Sequence, residues 1–414
     1  MPHSRITLIR NIGSQWASVS YGTVIVFLLM IFLARTLGPS SLAVFLYVQT
    51  IASLFAILQD GGFQVLLFRE KTTPTEKELA SAESLLSAYF SYIAAITLAG
   101  SIIVILAPIL YKTAFLLAFV YFAFRCLTNI ISSLLKGQGA FVQEALWRIE
   151  LNTLLALPVV GLLVFTPPSP EKVFIGFIAG QILLFCTKTG RAIFRTPKLQ
   201  FPPLKIWKSC LAFVIISAAT LIYFKSGIVL LKHLQPDLAL VGYYGAALQL
   251  LEGVVLFATP VAHLIFRSLR QRWLDQRAFN SRLATLLGAA LAVGFLGSAA
   301  GFLLAPKMIL LFYGHAYQPA VDILPLLMLS LIFLLPNFIL TQAMIAVNGE
   351  KAYAVIATIC AVFNIGLNGV LIPRYLATGA AFSTLATEAV LTALAGAWFM
   401  RRRKRSKACD FSRT

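Results

Sequence analysis

The chain has 414 residues, of which 59% are hydrophobic and only 12% are charged, with a mean hydropathy of +0.86 and a formal net charge of +19. Because a typical soluble domain carries about a quarter charged residues, this composition excludes an ordinary soluble protein. The apolar residues also form long runs, not the alternating segments of about ten residues that a membrane β-barrel shows. We therefore predict an all-α polytopic membrane protein.

Twelve apolar runs, each near the roughly 20 residues needed to cross a bilayer, follow one another along the chain. The first run ends in an Arg-Thr-Leu-Gly-Pro sequence and not in a small-residue cleavage site, so we expect it to remain as an uncleaved helix. The spaces between the runs are too short for a soluble domain. The predicted spans are residues 12–34, 41–67, 84–107, 113–135, 147–166, 171–190, 207–226, 239–266, 283–304, 322–347, 352–373 and 379–400.

The basic residues predict the orientation of these spans. If the N-terminus is cytoplasmic, 26 of the 34 Lys and Arg residues lie in cytoplasmic segments, seven, including Lys225, lie outside, and Arg125 lies within a span. This asymmetry follows the positive-inside rule, so both termini are expected in the cytoplasm. The basic C-terminal tail, 401–414, is expected to anchor on anionic lipid headgroups, and the positive charge needs no nucleic-acid partner.

Motifs for chemistry are missing from the sequence. It has no phosphate-binding loop, no HExxH and no Gly-x-Ser-x-Gly elbow, and its four histidines are scattered. The five cysteines form no CxxC pair and are odd in number, which predicts neither disulfides nor zinc. We predict a protein that is not an enzyme and has no cofactor, and coupling to H⁺ or Na⁺ is left open.

Arg125 is the one charged residue within the apolar run LLAFVYFAFRCLTNIISSLL (116–135). It lies thirteen residues after Lys112 and eleven before Lys136, which puts it near the bilayer midplane at about 1.5 Å of rise per residue. A charge at that depth costs at least ~2.5–3.5 kcal/mol. Two interpretations remain open: an internal ion pair with a membrane carboxylate, or an anion-binding group in a water-filled cavity.

The membrane carboxylates are Glu252 in span 8, Glu388 in span 12 and Glu150 near the start of span 5. For Glu252, structural pairing is the first interpretation and contact with a cavity the second. Asn364 and Asn368 share one face of span 11 at i, i+4 spacing. Interhelical hydrogen bonding is the first interpretation for both, and they also stay among the cavity candidates.

Five stretches in register resemble a known family, and together they run through nearly the whole chain. The chain resembles the polysaccharide-biosynthesis flippases of the Wzx type, in the superfamily that includes the multidrug exporters of the MATE class. It departs from that pattern at Ala43, Phe45 and Gly61. The stretches are FLARTLGPSSLAVF (32–45), LQDGGFQVLLFRE (58–70), ALVGYYGAALQLLE (239–252), YGHAYQPAVDILPLLMLS (313–330) and NIGLNGVLIPRYLATGAAFSTLATEAV (364–390).

The resemblance implies two six-helix lobes, 1–200 and 201–400, around a central cavity that opens alternately to the two sides. It further implies a flippase for an undecaprenyl-diphosphate-linked oligosaccharide in the cytoplasmic (inner) membrane. The product would be O-antigen, capsule or exopolysaccharide, and glycan polymerase or assembly proteins would be partners besides the lipids.

Within such a cavity, the resemblance suggests a role for several residues. Arg125 is the candidate for the diphosphate, since a guanidinium forks onto phosphate oxygens, and Tyr121 is a candidate for stacking on sugar. The remaining candidates are expected at gates or helix ends; they are Arg35, Asp60, Arg69 and Glu388.

Two alternatives are kept. A MATE-type small-molecule or cation exporter typically has an acidic residue in its first helix, and residues 11–34 contain no Asp or Glu. A scaffold of a glycan-assembly complex that transports nothing has no sequence feature that separates it from a flippase.

Overall fold

The computed structural model describes residues 5–64, 76–192, 204–272 and 275–411. Within those ranges the chain is helical with no strand. The helices are α1 Arg5–Asp60, α2 Glu76–Leu106, α3 Lys112–Gly137, α4 Phe141–Phe165, α5 Pro170–Phe185, α6 Lys188–Ala192, α7 Leu204–Leu234, α8 Ala239–Arg270, α9 Gln276–Phe312, a 3₁₀ helix His315–Val321, α10 Leu324–Leu329, α11 Leu331–Ala346 and α12 Glu350–Phe411.

Helices α1 and α12 are each two membrane-length helices joined at a sharp bend. In α1 the bend is at Gly38, where φ is 73° and ψ is 171°, a conformation that glycine adopts readily, and Pro39 follows. In α12 the bend is at Leu376, where φ is 54° and ψ is −134°. A non-glycine residue at positive φ is uncommon. Both bends fall where the sequence predicts a break between two spans.

Each predicted span falls mostly on helical residues of the described chain. Seven described segments are long and apolar enough to cross a membrane, and two of these are the bent helices α1 and α12, which hold two predicted spans each. The other three predicted spans fall on α5, α7 and α8. Several boundaries were wrong, because helices continue beyond the apolar runs. Helix α7 continues through Leu234 and α9 through Phe312, whereas the predictions ended these spans at residues 226 and 304, and α4 begins at Phe141 and not at 147.

The chain forms two compact units, Met1–Ala218 and Ala219–Thr414, whose boundary lies within α7. The predicted lobe boundary at residue 200 lies outside the described residues. At the C-terminus, the first residues of the basic tail continue the helix of α12 as far as Phe411.

In the N-terminal unit, small residues allow close helix packing. A Cβ atom on Gly180 of α5 would lie 2.0 Å from the backbone oxygen of Leu154 in α4, so these two helices touch backbone to backbone. Such close approach between membrane helices depends on small side chains. Beside this contact, the ring of Phe45 packs on that of Phe174 with 5.3 Å between centroids, which ties α1 to α5.

In the C-terminal unit, α11 packs against both halves of α12 around an apolar cluster. Its buried members are Leu340, Met344, Ile356, Cys360, Leu391 and Ala395. Helix α9 joins the same unit through Gly294, where a Cβ atom would lie 2.6 Å from the backbone oxygen of Leu331. The polar residues of the candidate site lie on the helices of these two units.

Candidate functional site

Helix α3 carries a row of polar side chains along one face. Residues at i, i+4, i+7 and i+11 lie on one face of a helix, so the stripe runs from the interior of the span to its end. We call Tyr121, Arg125, Thr128, Ser132 and Lys136 the α3 stripe. Arg125 is its only charge away from the helix end.

Arg125 has no counter-charge among the described residues. No Asp or Glu oxygen in the described part of the chain lies within 4.0 Å of its guanidinium. Its Nη1 atom is buried and has no hydrogen-bond partner there either. A buried donor without an acceptor is costly, and a guanidinium offers five donors in a planar fork. Within the described residues, this donor therefore stays without an acceptor.

The carboxylates proposed as ion-pair partners for Arg125 have other environments. Glu252 pairs with Lys225. Glu388 accepts a hydrogen bond from Asn337, and Glu150 is exposed on α4. Each of these three carboxylates thus has surroundings of its own, and the ion-pair interpretation of Arg125 stays a prediction.

The aromatic neighbour Tyr121 is largely covered. Its side chain is 7% exposed, and its ring stacks on Phe177 at 4.8 Å between centroids and meets Phe122 edge to face at 4.8 Å. The proposed stacking of this ring on sugar stays a prediction, and in this structure the ring belongs to the packing of α3 against α5.

The four residues expected at gates or helix ends fall in different places. Asp60 is the last residue of α1, where one carboxylate oxygen accepts from the Gly62 amide at 3.2 Å and the other is buried without a partner in the described residues. Arg35 is exposed just before the bend of α1. Arg69 lies outside the described residues.

Glu388 does not lie at a helix end. It is 2% exposed within the second half of α12, twelve residues beyond the bend. Asn337 Nδ2 of α11 donates to its carboxylate at 2.7 Å and to its backbone oxygen at 2.8 Å. A helix-end position was wrong because the apolar run around Glu388 continues in both directions, and the residue serves as a helix-to-helix contact. Its role at a gate stays a prediction.

Sequence reasoning missed Glu144, which is fully buried near the start of α4. Its carboxylate accepts from Gln15 of α1 at 2.6 Å, from Arg148 at 2.6 Å and from Ser132 of α3, and lies 3.3 Å from Lys136. Three helices therefore meet on one carboxylate. The i, i+4 spacing of Glu144 and Arg148 was a signal in the sequence, although the partners on α1 and α3 were not.

The pair of Lys225 with Glu252 corrects the expected position of Lys225. The prediction counted Lys225 among the outside residues, at the end of the span 207–226, but α7 continues nine residues beyond it, so Lys225 lies well inside the helix. It donates to Glu252, in the middle of α8, through a short salt bridge. The side chains are 22% and 27% exposed, respectively. The apolar Gly-Ile-Val-Leu-Leu run after Ser226 was the available signal.

The two asparagines of α12 form a buried hydrogen-bond hub. The Asn364 side chain donates to Thr387 at 2.8 Å, and its oxygen accepts from Ser226 of α7 and from Asn368 at 2.7 Å. Each asparagine is 1% exposed. Interhelical bonding, the first interpretation of these residues, is what the structure contains, and it joins α7 to both halves of α12.

Near Glu252, Tyr313 lies just beyond the end of α9. Burial raises the pKa of this tyrosine, and the negative charge of Glu252 raises it further, so the hydroxyl stays protonated. That hydroxyl is buried and has no partner within the described part of the chain. No three His, Cys, Asp or Glu side chains among the described residues are grouped so as to hold a metal ion.

Comparison with known families identifies the chain. A family model described as "Polysaccharide biosynthesis protein" matches residues 8–266, which is more than half of the sequence. The chain belongs to the polysaccharide biosynthesis protein family. No curated protein sequence matches it.

Solved structures that resemble this family member are transporters of one fold. The lipid II flippase MurJ in an inward closed conformation matches with a TM-score of 0.69 at 18% identity, over 91% of this chain and 86% of that one. An inward-facing multidrug resistance MATE family transporter of the MOP superfamily matches with a TM-score of 0.69 at 13% identity, over 94% and 96% of the two chains. A MOP superfamily transporter from Pyrococcus furiosus matches with a TM-score of 0.65 at 13% identity, over 96% of each chain.

These likenesses confirm the predicted fold, a twelve-helix, all-α membrane protein of the MATE-like type. The polysaccharide biosynthesis protein is therefore a multi-pass membrane protein whose family and fold are of transporter and flippase types. At such low identities the structural matches concern the fold alone.

Proposed function

We propose that this protein is a flippase that moves an undecaprenyl-diphosphate-linked oligosaccharide across the cytoplasmic membrane by alternating access. The product serves a surface polysaccharide such as O-antigen, capsule or exopolysaccharide. The protein lies in the inner membrane with both termini in the cytoplasm, and it delivers the glycan to polymerase or assembly proteins. Membership of the polysaccharide biosynthesis family supports the substrate class.

The observation that carries the proposal is the position of Arg125 and the lack of an acceptor for its buried donor among the described residues. A guanidinium near the middle of a membrane span, with a buried Nη1 and no acceptor or carboxylate among the described residues, is suited to an anionic ligand. Charged residues within membrane spans mark substrate pathways for the same reason. A diphosphate supplies several charged oxygens, and an arginine guanidinium can donate hydrogen bonds to two of them at once.

The physical demands of the substrate fit this arrangement. The sugar and the diphosphate of a lipid-linked glycan do not cross hydrocarbon unaided, because polar and charged groups lose their hydration there. The polyprenyl tail has no such barrier and stays in the bilayer. A protein for this task must therefore shield and neutralise only the headgroup, for which Arg125 provides one positive charge.

The proposal is tested in a strain that lacks the gene. Wild type, Arg125→Ala and Arg125→Lys are re-expressed to equal membrane levels, and lipid-linked oligosaccharide is quantified by mass spectrometry. Lys112→Ala is the matched control, since it removes a positive charge from the exposed start of the same helix, where Lys112 contacts the backbone oxygen of Ile105.

We expect loss of the gene to accumulate a diphosphate-linked glycan. Wild type and Lys112→Ala should clear it, Arg125→Lys should clear it partly, and Arg125→Ala should fail. If no such intermediate accumulates, the substrate class is wrong, and export of a small molecule or cation, or a scaffold role, becomes the better account. If Arg125→Ala clears it like wild type, the anion site is elsewhere.

A further inference from the structure

We infer that Lys225 is a second anion-binding residue, held by Glu252 until the phosphate groups of the substrate arrive. The inference deepens the proposed function, on which it rests, and it concerns only the C-terminal unit. It starts from the position of the two residues: Lys225 lies nine residues before the end of α7, and Glu252 thirteen residues after the start of α8. Both charges therefore lie well within helices that correspond to predicted spans.

This pair differs from the other ion pairs of the described residues. Glu144 is fully buried and has four donors around it, so it is a fixed junction between helices. Glu252 has one cation, and both members of its pair keep about a quarter of their side-chain surface exposed. An accessible one-to-one pair can exchange partners, whereas the Glu144 junction cannot without unpairing several buried groups.

The ammonium group of Lys225 also has hydrogen-bond donors that the described residues do not use. A lysine offers three hydrogen-bond donors, and within the described residues Glu252 is the single acceptor that Lys225 contacts. The hydroxyl of the neighbouring Ser226 already donates a hydrogen bond to Asn364. A phosphate oxygen that approaches Lys225 thus meets unused donors on a compact positive charge, which is how lysine binds phosphate in proteins.

Glu252 has a distinct part in this arrangement. In the empty protein it neutralises Lys225, which lowers the cost of a charge within the membrane. When a phosphate group is present, its negative charge competes with Glu252 for the same ammonium and repels the carboxylate. The two residues should therefore affect anion binding in opposite directions, a result that a purely structural pair does not produce.

The test measures binding of farnesyl diphosphate, a short prenyl diphosphate, to the purified full-length protein in detergent, with farnesol as the probe that lacks phosphate. The variants are Lys225→Met, Glu252→Gln and the double variant, in which the pair is replaced without leaving one charge alone. Lys232→Met, seven residues further along α7, is the matched control for loss of a positive charge.

We expect Lys225→Met and the double variant to weaken farnesyl diphosphate binding by about tenfold, the effect of one charge-assisted hydrogen bond. Glu252→Gln should tighten it, and Lys232→Met should leave it unchanged. Farnesol binding should not respond to any variant.

The outcomes separate this inference from the proposed function. If wild type binds farnesyl diphosphate no better than farnesol, the proposed function itself is contradicted. If wild type prefers the diphosphate and the double variant binds it equally well, the flippase proposal stands and Lys225 is only a structural partner of Glu252. If Glu252→Gln weakens binding as Lys225→Met does, exchange of partners is wrong.

Discussion

Glu388 and Asn337 hold α12 and α11 together through two contacts made by one amide group. Asn337 Nδ2 donates to the Glu388 carboxylate at 2.7 Å and to the backbone oxygen of the same residue at 2.8 Å. The Asn337 oxygen in turn accepts from Thr392 at 2.8 Å. A carboxylate that is 2% exposed is thus placed against a neutral amide, with no Lys or Arg within 4.0 Å among the described residues.

This arrangement predicts that the shape of Glu388 matters more than its charge. Glu388→Gln keeps an oxygen that accepts from Asn337 and removes the cost of a buried charge, so the thermal midpoint of unfolding in detergent should stay equal or rise. Glu388→Ala leaves the amide of Asn337 without its acceptor and should cost about 1–3 kcal/mol. If Glu388→Gln lost as much stability as Glu388→Ala, the carboxylate charge itself would be the stabilising feature.

The Glu144 junction predicts a large loss of stability on removal of one side chain. Glu144→Ala leaves Arg148 and Lys136 without their shared carboxylate and removes the acceptor of Gln15 and Ser132. Because the two cations keep 27% and 32% of their side-chain surface exposed, we expect a cost of about 1–3 kcal/mol. Fluorescence-monitored thermal unfolding should show a clear drop. Glu150→Ala, six residues further along the same helix and exposed, is the control and should behave as wild type; an equal drop in both would contradict the junction.

The close packing of α5 on α4 is tested by glycine replacement. An alanine at Gly180 would put its Cβ atom 2.0 Å from the Leu154 backbone oxygen, so the helices must separate, at a cost of about 1–3 kcal/mol. Gly161→Ala is the matched control, because a Cβ atom there meets nothing within 4 Å. The yield of folded protein by size-exclusion chromatography should fall for Gly180→Ala alone. Similar yields for both variants would show that α4 and α5 are further apart.

The hydrogen-bond hub of α12 predicts a moderate cost for Asn364→Leu. That change removes contacts to Ser226, Thr387 and Asn368, and interhelical hydrogen bonds in membranes are worth about 0.6–2 kcal/mol each. Thr358→Val is the control, since Thr358 is exposed on the same helix and contacts only the backbone of its own preceding turn. Thermal unfolding of the two variants in one detergent compares them. A hub that serves substrate contact alone would leave stability unchanged and lower transport.

The fold could be predicted from the sequence because twelve apolar runs and the distribution of Lys and Arg depend on local composition. Arg125 could be found for a similar reason, because the sequence alone shows a charged residue at a depth of the bilayer where a charge is costly. Partners could not be predicted, because they depend on which helix faces which: Glu252 finds Lys225 on α7, and Glu388 finds Asn337 on α11. The end of α7 was missed because a lysine within an apolar run resembles a loop residue.

The most direct test of the account measures transport itself. Purified protein is reconstituted into liposomes that hold an undecaprenyl-diphosphate-linked oligosaccharide, and the fraction of glycan that becomes accessible to an enzyme on the opposite side is followed with time. Wild type should raise this rate well above that of protein-free liposomes, and Arg125→Ala should return it near the background while Lys112→Ala does not. If wild type leaves the glycan on its original side under these conditions, the chain is not a flippase for this class of lipid.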